Sequence, residues 1–314
     1  LRHRRHPHQC EAGGGKEEAG GEKEEEKEVK PPIGVIGLGI MGSAMAGNLA
    51  KAGFQVQGYD VLPARRSALK KAGGKPVASL AQIDAPVVIT SLPSAGALHA
   101  VASDMRRKCI VVETSTLPIE EKARARTVLA RKGIVLLDCP LSGTGAQART
   151  KDLVVYASGD KAGFKKAEPY FKGFSRAHYY LGEFGNGSKM KFVANLMVAI
   201  HNVSAAEAFV LGMKSGLSPE DIYKVAGDGA GASRMFQVRG PMMVAGNYDE
   251  ATMKNEVWQK DMKIIGDFAT KLGVPTPLFN ASAVIYNAAM SQGYALKDTG
   301  AVCAVLENMA RVKR

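Results

Sequence analysis

Residues 33–60 constrain this chain more than any other stretch. Ile33-Gly34-Val35-Ile36-Gly37 is a short apolar run ending in glycine, and Gly37-Leu38-Gly39-Ile40-Met41-Gly42 follows at once as GxGxxG. Residues 41–52 then carry helical spacing and good helix formers up to Gly53, a C-cap position, and residues 54–60 return to a strand-like alternation ending on Asp60. Strand, tight turn, helix and strand in this order predict a βαβ unit. A GxGxxG motif alone carries little weight in a chain with 35 glycines. Its place between strand and helix, with a carboxylate 23 residues after Gly37, is what makes it specific. In such a turn the first glycine bends the chain, the second admits a pyrophosphate to the backbone, and the third lets helix pack on strand. The helix N-terminus adds free N–H groups and a positive dipole. Residues 37–42 and Asp60 are therefore expected to hold a dinucleotide. A carboxylate at Asp60 accepts from a ribose 2′-hydroxyl and repels a 2′-phosphate, so NAD is expected ahead of NADP. Arg65 and Arg66 close by would favour NADP.

Further apolar runs at residues 86–92, 109–113 and 134–138, separated by helix-length polar segments such as 118–132, predict a doubly wound parallel sheet with helices on both faces. After Gly187 the pattern changes to long helical periods without strands. The expected fold is α/β: a Rossmann-like NAD(P)-binding domain over 31–190, then an all-helical domain for substrate and oligomer contacts over 191–314, entered by a long helix. The apolar stretch 192–213 is broken by Asn195, His201, Asn202, Ser204 and Glu207, too many polar groups for a lipid-facing span. It is read as a buried helix.

Residues 1–30 differ in kind. They are rich in Gly, Glu and Lys, with almost nothing to bury, and are expected to be disordered. Their seven Lys/Arg and eight Glu make a charge of −1, so the formal +12 of the chain belongs to the remainder. Basicity of this kind suits anionic substrates and cofactors. Nucleic acid is not expected, because no tract interleaves basic residues with the 1 Trp, 9 Tyr and 10 Phe. The four cysteines (Cys10, Cys109, Cys139, Cys303) are scattered, with no CxxC and no metal-ligand spacing, so they are read as packing residues of a reduced compartment and no metal is expected. The location expected is cytoplasmic, or mitochondrial or plastid if the Arg/His run in residues 2–8 ends a transit peptide.

Four ordered stretches add a resemblance. Residues 37–49, GLGIMGSAMAGNL, resemble the opening of the β-hydroxyacid dehydrogenase family, the group of 3-hydroxyisobutyrate dehydrogenase and tartronate semialdehyde reductase. Residues 138–145, DCPLSGTG, resemble its substrate-binding DxPxSGG, with Thr144 where the family usually has glycine. Residues 185–195, GNGSKMKFVAN, resemble its catalytic GxGxxxKxxxN, and Lys260-Asp261 matches its C-terminal KD pair. The resemblance implies Lys191 as the catalytic residue, Leu92, Pro93, Ser115 and Thr116 as cofactor-contact positions, and Lys260 as a group reaching the cofactor from the second domain.

The residues support that chemistry on their own terms. Lys191 and Asn195 stand at i and i+4, on one face of a helix. A lysine serves as general acid or base only when its pKa falls towards neutrality, which burial and nearby cations bring about; Lys189 is a candidate for that cation. Asn195 offers a donor and an acceptor to a hydroxyl or to Lys191. Ser142, Gly143 and Thr144 form a small-residue turn after a strand's carboxyl end, where backbone N–H groups and two hydroxyls suit a carboxylate. Arg234, after the glycine-rich residues 227–231, is expected to contact a second anionic group. The expected activity is an NAD-dependent oxidoreductase acting on a small anionic β-hydroxyacid or its semialdehyde, in a homodimer or homotetramer built through the helical domain. The rivals are a catalytically silent or chromatin-associated dinucleotide-binding relative, and an imine or 6-phosphogluconate-type reductase.

Overall fold

The computed structural model describes residues 30–314, so the charged segment 1–29 and the readings made on it lie outside the described residues. Lys30, expected to close the extension, instead opens the first strand, β1 (Lys30–Ile36), beside Phe54. Its ammonium lies 5.0 Å from the Phe54 ring centroid. The register is irregular between Lys30 and Ile33 because Pro31 and Pro32 cannot donate to the ladder.

From β1 the chain runs through α1 (Ile40–Lys51), β2 (Phe54–Tyr59), α2 (Pro63–Lys71), β3 (Lys75–Pro76), β4 (Val87–Thr90), α3 (Ala95–Asp104), β5 (Ile110–Glu113), α4 (Ile119–Ala130) and β6 (Val135–Asp138). The six strands form one parallel sheet in the order β3-β2-β1-β4-β5-β6. The order reverses between β1 and β4, which opens a crevice at their carboxyl ends. β4 and β5 are buried on both faces, as a sheet covered on both sides requires. Separate apolar clusters fill the two faces, one around Val35, Leu49 and Phe171, the other around Val88, Leu98 and Leu129.

A small second sheet escapes the sequence reading. β7 (Leu141–Ser142), α5 (Gly145–Arg149), β8 (Val154–Ala157), α6 (Lys161–Phe174) and β9 (Ala177–Tyr180) follow, with β8 antiparallel to β7 and parallel to β9. This sheet seats the start of α7 (Asn186–Lys214), the 29-residue helix that leads into the helical half. After it come α8 (Pro219–Asp221), a π-helical turn at Ile222–Ala226, α9 (Arg234–Ala245), α10 (Asn255–Leu272), α11 (Pro277–Ser291) and α12 (Val302–Ala310). These pack on α7 around Phe209, Trp258 and Tyr286.

α7 departs from expectation in one respect. It is not buried all round: Met190, Val193, Met197 and Leu211 are exposed along one side. The helix has more apolar positions than its own domain covers. It is also long and apolar enough to cross a membrane by length and composition, but the polar groups Asn195 and Asn202 sit on its packed side.

Candidate active site

The crevice edge is built by glycines that nothing larger can replace. Gly37 has φ +87°, and a Cβ there would collide with the Ser91 carbonyl oxygen; one at Gly42 would strike the Gly37 carbonyl oxygen. Gly39, in contrast, faces open space, with only the Arg65 guanidinium at 3.9 Å. The N-cap of α1 has no side-chain cap and no acid follows in the first turn, so the N–H groups of Ile40, Met41 and Gly42 remain donors for a ligand. This cradle fits a dinucleotide pyrophosphate.

Asp60, buried at the end of β2, holds the turn in place. Its carboxylate accepts from Leu38 N at 2.8 Å, Leu62 N at 2.9 Å and Arg65 Nη1 at 3.2 Å. Burial alone would raise its pKa, but the N–H groups of Leu62 and Leu38 and the Arg65 cation hold it below the ordinary value, so it stays anionic. Arg66 donates to the Asp60 backbone oxygen and covers the Tyr59 ring. At the next strand ends, Leu92 N donates to Ser115 Oγ at 2.8 Å, bringing Leu92, Pro93, Ser115 and Thr116 to one edge of the sheet.

A buried ion cluster that sequence reasoning missed positions the next motif. Lys122 of α4 lies 2.7 Å from Glu113 and 2.8 Å from Asp138, all three side chains fully buried. Burial pulls the Lys122 ammonium down, but Asp138 and Glu113 outweigh it and hold its pKa above the ordinary value. Asp138 also accepts from Ser188 N and Ser188 Oγ, each at 2.8 Å, so the start of α7 is anchored on a carboxylate. Gly187 must be small here, because a Cβ would collide with backbone oxygens of Tyr156 and Asp138.

That anchor places Lys191 and Asn195 on the wall of a cleft of about 490 Å³ between the two halves, facing the turn at Ser142, Gly143 and Thr144. Lys191 is 8% exposed. Burial lowers its pKa, the Asp261 carboxylate raises it and the Lys260 cation lowers it, leaving a value of about 8. Lys260, rather than Lys189, is the cation acting on it. Lys189 is exposed and donates to Asn186 Oδ1 at 3.0 Å, because it points away from the cleft side of α7. Asn195 Nδ2 donates to Asp261 Oδ2 at 2.9 Å, which leaves its Oδ1 as an acceptor. Lys260 spans the halves: its Nζ donates to the Thr116 carbonyl oxygen at 2.9 Å and lies 3.6 Å from Asp261.

The 142–144 turn differs in detail from expectation. Thr144 caps α5, and its N–H donates to Gln147 Oε1 at 3.0 Å, so that donor is held internally. Gly143 has φ +127°, a conformation that favours glycine. The hydroxyl of Ser142 and the N–H of Gly143 are the groups the turn offers a carboxylate. Arg234 reaches the cleft from the first turn of α9, exposed and paired with Asp152. Gln147, Asp152, Arg176 and Arg239 also line the cleft, and no local pattern singles them out.

Comparison with known proteins is consistent across the chain. Residues 32–182 match the family described as the NAD binding domain of 6-phosphogluconate dehydrogenase, and residues 185–306 that described as NAD-binding of NADP-dependent 3-hydroxyisobutyrate dehydrogenase. The L-threonate dehydrogenase of Cupriavidus necator is 32% identical over 86% of this chain and 94% of its own length. The 2-(hydroxymethyl)glutarate dehydrogenase of Eubacterium barkeri is 30% identical over 91% of this chain and 98% of its own. Among solved structures, one described as 3-hydroxyisobutyrate dehydrogenase from Salmonella typhimurium superposes with a TM-score of 0.80 at 26% identity, covering 88% of this chain and all of that one.

Proposed function

The chain belongs to the β-hydroxyacid dehydrogenase family, and on that premise we propose that it is an NAD-linked dehydrogenase of small β-hydroxyacids with Lys191 as its general acid and base. The observation that carries this reading is the setting of Lys191. It is a buried lysine poised near about 8, one helical turn from Asn195, on a cleft shared with the 142–144 turn. A group poised near neutrality passes a proton efficiently in either direction.

Nicotinamide, when bound, supplies the hydride acceptor at the substrate carbinol carbon. The cofactor would be held by residues 37–42 and Asp60, by Leu92, Pro93, Ser115 and Thr116 at the neighbouring strand ends, and by Lys260. Lys191 Nζ takes the hydroxyl proton in oxidation and returns one to the carbonyl oxygen in reduction. Ser142 and Gly143 bind the substrate carboxylate, Thr144 holds their turn through Gln147, and Asn195 Oδ1 orients the reacting hydroxyl. Asp261 holds Asn195 by its amide and sets the field at Lys191. Arg234 contacts a remote polar or anionic end. Asp60 favours NAD, and the exposed apolar side of α7 is the surface through which copies of the helical half associate.

A panel of small hydroxyacids and semialdehydes, followed at the NAD(P)H absorbance, tests the reading. Turnover of at least one β-hydroxyacid is expected. Dinucleotide binding with no turnover on any member would overturn it.

A further inference from the structure

Away from Lys191, the cleft carries a second charged cluster. Asp152, in the loop between α5 and β8, accepts from Arg176 Nε at 2.8 Å on one carboxylate oxygen. Its other oxygen accepts from Gln147 Nε2 at 2.9 Å and Arg234 Nη2 at 3.3 Å. Arg176 belongs to the sheet half and Arg234 to the helical half, so two guanidinium groups from opposite walls converge on one carboxylate. Gln147 is also the acceptor for the Thr144 N–H, which wires this cluster to the 142–144 turn.

Charge and valence leave this cluster unsaturated. Two cations share one anion, and each guanidinium gives Asp152 a single N–H of its five. Arg239, further along α9 and also on the cleft, is outside this open cluster: it is buried and has a buried counter-ion of its own in Asp298, 2.9 Å from its Nε. Both Arg176 and Arg234 are about two-thirds exposed, and an ion pair this open contributes little to stability. Turning either guanidinium from Asp152 to a ligand therefore costs little. A carboxylate presented here meets planar forks from both walls, which suits bidentate pairing.

We propose that Arg176 and Arg234, lent by Asp152, form a second anion subsite spanning the two halves, which takes a carboxylate remote from the reacting hydroxyl and makes dianionic hydroxyacids the preferred substrate class. This inference rests on the dehydrogenase reading and deepens it. Ligand at this subsite ties the sheet half to the helical half, so the second carboxylate also closes the cleft over the reacting end.

A matched pair of acids tests it: 3-hydroxy-2-methylpropionate, a monoanion, and 2-(hydroxymethyl)glutarate, in which a carboxyethyl group replaces the methyl. Their reacting ends are identical. Wild type is expected to favour the dianion in kcat/KM, less so as salt is raised. Arg176→Met and Arg234→Met should each lower the dianion-to-monoanion ratio by about tenfold or more, chiefly through KM, with Arg→Lys recovering part. Calorimetry with glutarate against butyrate, neither of which reacts, gives a readout independent of turnover; glutarate should bind tighter and lose that advantage in both Met variants. A wild-type preference for the monoanion, or equal losses on both acids, would reduce the cluster to a tether between the halves and overturn the proposal while leaving the dehydrogenase reading intact. Failure of wild type to oxidise any β-hydroxyacid would remove that reading and this proposal with it.

Discussion

Asn195 on α7 donates its amide to Asp261 on α10 at 2.9 Å, and the same carboxylate lies 3.6 Å from Lys260. One acid thus fixes Asn195 and balances the cation that depresses Lys191. The helix carrying Lys191 is thereby locked to the helix that reaches across to Thr116.

The pH profile should expose this arrangement. In the proposed role Lys191 acts as a neutral amine in oxidation, so kcat/KM for oxidation should rise with pH and level off above about 8. Reduction needs the ammonium and should decline over the same range. Asp261 raises the Lys191 pKa and Lys260 lowers it. Asp261→Asn should therefore move the oxidation midpoint to lower pH, and Lys260→Met should move it to higher pH. Steady-state profiles of both variants shifting in one direction would contradict the assigned field.

The proposed preference for NAD rests on Asp60 at the end of β2. Asp60→Ala removes the carboxylate proposed to meet the ribose and leaves Arg65 without its partner. The ratio of kcat/KM for NAD over NADP should fall by about tenfold. A wild-type enzyme that prefers NADP by tenfold or more would mean that Arg65 and Arg66 outweigh Asp60.

The Lys122–Glu113–Asp138 cluster should dominate stability. Lys122→Met strands two buried carboxylates and should cost about 3–5 kcal/mol in denaturant unfolding. The folded pKa of Lys122 is raised, so its contribution is complete below the unfolded value and is lost only as pH rises through the folded one. A cost within 1 kcal/mol would show that the start of α7 is anchored by other contacts.

What could be read from the sequence divides along physical lines. The βαβ opening was legible because the positive φ at Gly37 and the Gly37 carbonyl oxygen against Gly42 favour glycine at both positions, and both demands are local. Lys191 and Asn195 were legible because helical spacing puts both on one face. Lys122 was not: it stands in a helix of alternating charges, IEEKARART, where lysines are ordinarily solvated, and its partners come from two other elements. The Asp152 cluster joins residues up to 82 apart in the chain, beyond any local pattern. β7 was missed because two residues carry no pattern, and β9 because Ala177–Tyr180 holds no continuous apolar run of the kind that marks β4 and β5. The exposed side of α7 was misread because apolar content reports that a surface wants covering, without saying whether the same chain covers it.

The most direct test is Lys191→Ala, measured for turnover of an active β-hydroxyacid and, in parallel, for NADH binding by fluorescence. Loss of positioned proton transfer should reduce turnover by roughly 10²- to 10⁴-fold, with NADH still bound, since the cradle at residues 37–42 is untouched. A variant that keeps more than about a tenth of wild-type turnover would contradict the assignment of Lys191 as the general acid and base.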